Sequence, residues 1–175
     1  QPAGELSRFE YSRIVMGVRA RVVLYCPSET QAASSADQAF ARMEQIEQQL
    51  SDYRVDNAVA KLNALPRTPT EIPPDLATVL HHADAVRTAS RGAFNPFLGS
   101  LTQLWRKSRD TGQIPTPDEL RAAGLGEHAA LARASAHHNT VTLTPDTARI
   151  DLGGIGKGYA ADEARKTLAH SGTPR

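Results

Sequence analysis

Cys26 is the only cysteine in the chain. It can form no internal disulfide, and with no second Cys and no Cys/His spacing there is no thiolate zinc site. It reads as a small apolar residue on a strand. An excess of charge of one sign is missing as well. The 20 Lys and Arg against 19 Asp and Glu leave a formal net charge of +1. That excludes the strongly basic or acidic balance that gathers nucleic acid or an anionic membrane. No apolar run approaches the ~18 residues needed to span a bilayer. Gln1 to Arg8 holds no apolar stretch of the kind a secretory signal requires. Internal repeats and low-complexity blocks are absent, and the 11 prolines fall mostly between periodic stretches, as expected of one compact domain over residues 1–175. At 175 residues and 40% hydrophobic, the chain is long enough to bury roughly two-thirds of its unfolded surface in a core.

The periodic stretches alternate between strand and helix spacing. From Val18 to Cys26 the apolar Val18, Ala20, Val22, Leu24 and Cys26 interleave with Arg19 and Arg21, the two-residue period of a half-buried strand that begins at Met16-Gly17. Ser28 with Gln31 is a capping-box signature for a helix carrying Phe40, Met43, Ile46 and Leu50. Asp56 or Asn57 can cap a short helix with Val59 and Leu62. Pro73-Pro74 opens another, with Leu76, Val79, Leu80, Ala83 and Val86 facing the core and Gly92 just past its end. Thr116-Pro117-Asp118-Glu119 starts a short helix that ends near Gly124. Two β runs, Thr140 to Leu143 and Ala148 to Leu152, are expected to form a hairpin through Pro145-Asp146, followed by a helix from Tyr159 to about His170. The late hairpin argues for an α+β fold, with a mixed or antiparallel sheet packed with helices, over a purely parallel sheet.

Between the last β run and that helix lies Gly153-Gly154-Ile155-Gly156-Lys157-Gly158. Bare backbone, a helix start with unpaired N–H groups and one lysine are a physical recipe for holding a phosphate. A tight turn whose glycines only supply positive φ is the alternative. Lys157 is followed by Gly158 rather than Ser or Thr, and no glycine sits five residues before Gly156, so a Walker loop is excluded. Gly156 to Ala161 fits the loose G-x-G-x-x-A dinucleotide pattern, but the acid expected ~20 residues later would lie beyond Arg175. His81-His82 and His137-His138 lack the i, i+4 spacing of a helical metal site. All six histidines read as surface or structural residues.

The stretch Asp151-Leu152-Gly153-Gly154-Ile155-Gly156-Lys157-Gly158-Tyr159-Ala160-Ala161-Asp162 resembles the D-x-x-x-I-A/G-K-G-Y/F-x-x-D signature of ApbE-type FAD:protein FMN transferases. Met16-Gly17 resembles the family's Met-Gly-Thr, with Val18 in place of threonine. Leu50 to Asn57 and Leu62-Asn63 resemble its L-S-x-Y-x-x-D-S…L-N block, and Gly92-Ala93-Phe94-Asn95-Pro96 through Leu101 and Leu104-Trp105 resemble G-A-F-D-P…L…L-W. Four blocks in order cover nearly the whole chain.

This resemblance implies an ApbE-like, T-fold-like architecture and Mg-dependent transfer of FMN from FAD to a Thr or Ser hydroxyl of an acceptor flavoprotein, with release of AMP. It implies FAD contacts at Met16, Tyr53, Ala93, Phe94, Asn95, Asp151 and Lys157, and an Mg ligand in the backbone carbonyl of Gly154. Asn95 stands where many relatives have aspartate, so a hydrogen-bonding site survives and a negative charge is lost. The family continues for roughly another small domain, which supplies an Asp and a Thr as further Mg ligands, so the chain is expected to be an N-terminal half. An uncovered sheet edge and apolar surface would then lead either to marginal stability or to self-association into a homo-oligomer. A periplasmic or extracytoplasmic placement, serving respiratory or electron-transfer flavoproteins, is implied in the same way. A non-catalytic flavin-binding or interaction module is the other reading, and a reading frame that continues past Arg175 would favour the enzyme over it. Lys157, Tyr53 and the Phe94 segment are expected to share one cleft.

Overall fold

The computed structural model describes residues 5–51, 55–65, 68–124, 130–135, 139–144 and 148–170. Backbone proximity divides the chain into two units, one of residues 1–48 with 156–175 and one of residues 49–155.

In the first unit, strands β1 (Ser7–Val15) and β2 (Val18–Cys26) pair antiparallel in unbroken register from Ser7 opposite Cys26 to Val15 opposite Val18. Met16 and Gly17 close the loop with φ of 52° and 71°. Positive φ at both loop positions matches the twist of two paired strands, and it explains why glycine occupies the second. Along β2 the alternation holds from Val22 onward: Val22, Leu24 and Cys26 are buried while Arg21, Val23 and Tyr25 are exposed, but Val18, beside the loop, is 45% exposed and Ala20 half-buried. Cys26 is a buried free thiol, as the sequence suggested.

Helix α1 (Glu29–Leu50) begins where the Ser28 hydroxyl accepts the Gln31 amide at 3.3 Å. Ala32, Ala36, Ala39, Phe40, Met43 and Ile46 form its buried stripe, spaced three and four apart as a helix face demands. The same unit ends in a helix, α6 (Gly156–His170), whose Tyr159, Ala160 and Ala164 are buried. Arg42 of α1 reaches Glu163 of α6 at 2.8 Å, and Lys166 adds a second contact at 2.6 Å. These two cations, Arg42 first, hold the Glu163 carboxyl below its ordinary value. Arg13 pairs with Asp37 at 2.9 Å and lies 4.8 Å from the centre of the Phe40 ring.

In the second unit, helix α2 (Ala58–Ala64) is capped by Asn57, whose side chain accepts the Ala60 amide at 2.9 Å and donates to the Ser51 carbonyl at 2.6 Å. Strand β3 (Thr70–Glu71) leads to α3 (Pro74–Ala89), which buries Leu76, Val79, Leu80 and Ala83. Val86 departs from expectation. It is 44% exposed, because the buried stripe ends one turn before the helix does. Helices α4 (Gly99–Thr111) and α5 (Pro117–Ala122) follow, α5 with the complete Thr116/Glu119 capping box. Strands β4 (Ala130–Ser135) and β5 (Thr140–Thr144) form a sheet in the order β3-β5-β4, all antiparallel. Among the described residues, two sheets and six helices make an α+β fold.

Two boundaries differ from the sequence reading. The hairpin partner of β5 is β4, which precedes it, and not the run Ala148 to Leu152. That run does bury Ala148, Ile150 and Leu152 in alternation, but among the described residues its neighbours are side chains and a loop, with a single parallel bridge from Arg149 to Leu98. The predicted turn at Pro145-Asp146 lies outside the described residues. The last helix starts at Gly156, three residues before Tyr159, so Lys157 stands within its first turn.

Candidate functional site

The site residues of the second unit lie on two irregular segments that touch. The first follows α3. Its end is closed by Arg91 N–H donating to the Thr88 carbonyl at 3.1 Å and Gly92 N–H to the Arg87 carbonyl at 2.8 Å, the paired bonds of a Schellman cap. Arg91 and Gly92 have φ of 53° and 85°. The Ser90 hydroxyl then accepts the Phe94 amide at 3.1 Å, and the Asn95 side-chain oxygen accepts the Phe97 amide at 3.0 Å. Each bond turns the chain locally and leaves Ala93 exposed, Phe94 and Asn95 half-buried, and Phe97 buried. Asn95 therefore shapes this loop through its carbonyl oxygen, a task aspartate performs equally well.

The second segment is 148–155. Gly99 N–H donates to the Arg149 carbonyl at 2.8 Å, and Asp151 N–H to the Pro96 carbonyl at 2.9 Å, which lays the two segments together. A Cβ on Gly99 would sit 2.8 Å from the Arg149 carbonyl oxygen, and one on Gly154 would sit 3.0 Å from Cε2 of Phe94. Proximity to backbone thus requires glycine at position 99, whereas a side chain at 154 would press on the Phe94 ring, which would have to give by a few tenths of an ångström. The Asp151 carboxylate is held at both ends: Oδ1 accepts the Gly153 amide at 2.8 Å, and Oδ2 faces the Arg106 guanidinium at 3.4 Å. The structure in this way gathers Phe94, Asn95, Asp151 and Gly154.

In the first unit, Met16 and Lys157 line one cavity of about 200 Å³, together with Val15, Met43, Ala160 and Arg21. Met16 is a non-glycine residue at φ 52°, a conformation costing about 1 kcal/mol. Lys157 is exposed in the first turn of α6, where unpaired backbone N–H groups favour anions. Tyr53 lies outside the described residues, and Lys157 and Phe94 belong to different units.

The described residues contain no group of three or more His, Cys, Asp or Glu placed to hold a metal ion. Gly154 offers a backbone carbonyl, one hard oxygen of the kind magnesium accepts. One carbonyl does not by itself make a magnesium site. His81 and His82 are exposed on α3 with ring centres 6.1 Å apart.

A sequence model of the ApbE family matches residues 16–175. The chain belongs to the ApbE family. It is 33% identical over 174 residues to a protein of Treponema pallidum named FAD:protein FMN transferase, covering 93% of this chain and 48% of that protein. A protein of the same name from Klebsiella pneumoniae is 27% identical over 161 residues, covering 91% of this chain and 50% of its own. The chain spans about half the length of the curated relatives it matches. Among solved structures, the ApbE protein of Thermotoga maritima superposes with a TM-score of 0.81 at 24% identity, over 94% of this chain and 53% of that one. The apo form of the Pseudomonas stutzeri flavinyl transferase ApbE gives 0.81 at 21% identity, over 99% and 56%. At such identities the likeness establishes the ApbE fold.

Two residues of this ApbE chain went unassigned in the sequence. Arg106, beside Asp151, carried no signal at all. Asn63 sat within the quoted Leu62-Asn63 pair, and its amide bonds to Ile150 in both directions, donating to the carbonyl at 3.1 Å and accepting the amide at 2.7 Å.

Proposed function

We propose that this chain carries FAD-holding residues of a FAD:protein FMN transferase, an enzyme that moves FMN from FAD onto a Thr or Ser hydroxyl of an acceptor flavoprotein. In that transfer the hydroxyl oxygen forms a bond to the FMN phosphorus, the bond from that phosphorus to the bridging oxygen breaks, and AMP leaves with the oxygen while the hydroxyl proton passes to solvent. Such a reaction needs its diphosphate neutralised and its groups held in place.

The observation that carries this reading is the packing of Gly154 against Phe94 beside an Asp151 carboxylate fixed at both oxygens, on a chain of the ApbE family. Lys157 supplies a cation for the diphosphate. Asp151 accepts hydrogen bonds from the nucleotide, and Phe94 gives it an apolar face. Met16, Tyr53, Ala93 and Asn95 complete the proposed FAD contacts by family resemblance. Magnesium, when bound, would withdraw charge from the phosphates, with the Gly154 carbonyl as one oxygen ligand. We also place the protein at the periplasmic or extracytoplasmic face of a membrane, serving respiratory or electron-transfer flavoproteins. Among the described residues no helix is long and apolar enough to cross a membrane. Cell fractionation that finds the full-length protein in the cytosol would contradict that placement.

The test is to incubate the full-length protein with FAD, magnesium and an acceptor peptide containing one Thr. A peptide mass gain of one FMN with stoichiometric AMP is expected. FAD bound with neither product would leave a flavin-binding module in place of the transferase.

A further inference from the structure

We propose that Asn63 is a positioning residue for FAD use, one whose carboxamide fixes the peptide of Ile150 and thereby aims the adjoining Asp151 carboxylate. The proposal rests on the flavin reading above and adds a residue to which that reading gives no role.

The geometry is that of a strand partner made from a single side chain. Asn63 lies on the last turn of α2, 87 positions from Ile150 in sequence. Its Oδ1 accepts the Ile150 amide at 2.7 Å and its Nδ2 donates to the Ile150 carbonyl at 3.1 Å. Both polar groups of one peptide residue are thus matched by one amide, as a neighbouring strand would match them. Among the described residues no strand does so, and the run from Ala148 makes a single parallel bridge, at Arg149. Ile150 is itself 1% exposed, so an unmatched N–H or C=O there would be a buried orphan, cut off from water and from any partner.

The next residue is Asp151. Its backbone N–H is taken by the Pro96 carbonyl at 2.9 Å, and its carboxylate is held by the Gly153 amide and by Arg106. With Ile150 pinned on one side and Pro96 on the other, Asp151 has little freedom to turn. Removing the Asn63 amide releases the first of these restraints while every group that would touch FAD remains. A mispositioned contact weakens binding of the nucleotide even though nothing in the contact set is deleted.

The experiment compares full-length protein with its Asn63→Ala, Asn63→Asp and Val79→Ala variants, measuring FAD affinity by titration, KM and kcat for transfer, and the urea midpoint. Val79 is fully buried in α3 and outside the site, so Val79→Ala controls for lost stability alone. Asn63→Ala is expected to raise the FAD dissociation constant and KM about tenfold, and more than Val79→Ala does at equal or smaller loss of stability. Asn63→Asp, which keeps an acceptor at the Oδ1 position for the Ile150 amide and loses only the donor, is expected to recover part of the affinity and keeps the test open if the alanine variant does not fold. Hydrogen exchange at the Ile150 and Gly153 amides should quicken in Asn63→Ala and not in Val79→Ala. Unchanged FAD affinity in both Asn63 variants, or an equal loss in Val79→Ala, would overturn the proposal. A parent protein that binds no FAD sinks the flavin reading itself, and the parent titration separates that result from a failure at Asn63.

Discussion

The unit made of residues 1–48 and 156–175 and the unit made of residues 49–155 are held together by different means. In the first, an unbroken two-strand ladder and long helices satisfy the backbone by regular repetition. In the second, the segments that carry Phe94, Asn95, Asp151 and Gly154 are irregular. They are tied by individual side-chain bonds from Ser90, Asn95 and Asn63 and by glycines in close contact. Regular structure spreads the loss of one contact over many others, whereas an irregular segment moves when one tie is cut. A substitution in the core of the first unit is therefore expected to lower stability without moving those segments. One that cuts a tie of the irregular segments in the second is expected to cost stability and displace site residues together.

The largest effect should come from the core of the first unit. Ile46 is fully buried on α1, and Ile46→Ala is expected to cost about 3–4 kcal/mol by leaving a cavity, measured by urea unfolding, with FAD affinity of the folded protein unchanged. A large loss of affinity in this variant would break the comparison. Next is Gly99→Ala in the second unit, where the new Cβ would meet the Arg149 carbonyl oxygen at 2.8 Å. About 2–3 kcal/mol of overpacking is expected, with weaker FAD binding, because Arg149 and Asp151 lie on the same segment. A variant as stable and as tightly binding as the parent would show that the close contact is not a restraint.

A smaller effect is expected from the Arg42–Glu163 pair, and it should depend on pH. Folding lowers the Glu163 carboxyl below its ordinary value of about 4.5. The stability this contributes is fully present above that value and is lost as pH falls through the lower folded one. Arg42→Leu should cost about 1 kcal/mol at neutral pH, and its deficit against the parent should close in acid. A deficit that stays constant between neutral and acid pH would assign the loss to packing. The smallest effect should be a gain. Arg91 holds a φ of 53° in the cap of α3, so Arg91→Gly is expected to raise stability by about 0.5 kcal/mol, relief of backbone strain offset in part by the freer unfolded chain. A loss in melting experiments would mean that the Arg91 side chain contributes more than its strain costs.

The same contrast decides what could be read from the sequence. Strand β2, α1, α3 and the Thr116 cap were legible because local periodicity and capping chemistry specify them within a few residues. Helix α4 was not foreseen as a helix, since its start at Leu98 has no side-chain cap hydrogen bond. The buried alternation of Ala148, Ile150 and Leu152 was legible, but its partners were not. A period of two announces an extended chain and says nothing about whether a strand or an asparagine 87 positions away completes it. Strand β4, Ala130–Ser135, was missed as the mate of β5, and the run 148–152 stood in for it. For the site, Phe94, Asn95, Asp151, Gly154, Met16 and Lys157 came from family resemblance, and the fold places them in two groups. Arg106 and the role of Asn63 came only from coordinates, because each acts through a long-range contact that no local pattern encodes.

The most direct test of the flavin assignment is a crystal structure of the full-length protein with FAD. The diphosphate is expected within hydrogen-bond reach of Lys157 Nζ, with the Asp151 carboxylate accepting a hydrogen bond from the nucleotide and Phe94 in contact with it. Electron density for FAD elsewhere on the protein, with Lys157, Asp151 and Phe94 untouched, would contradict the assignment.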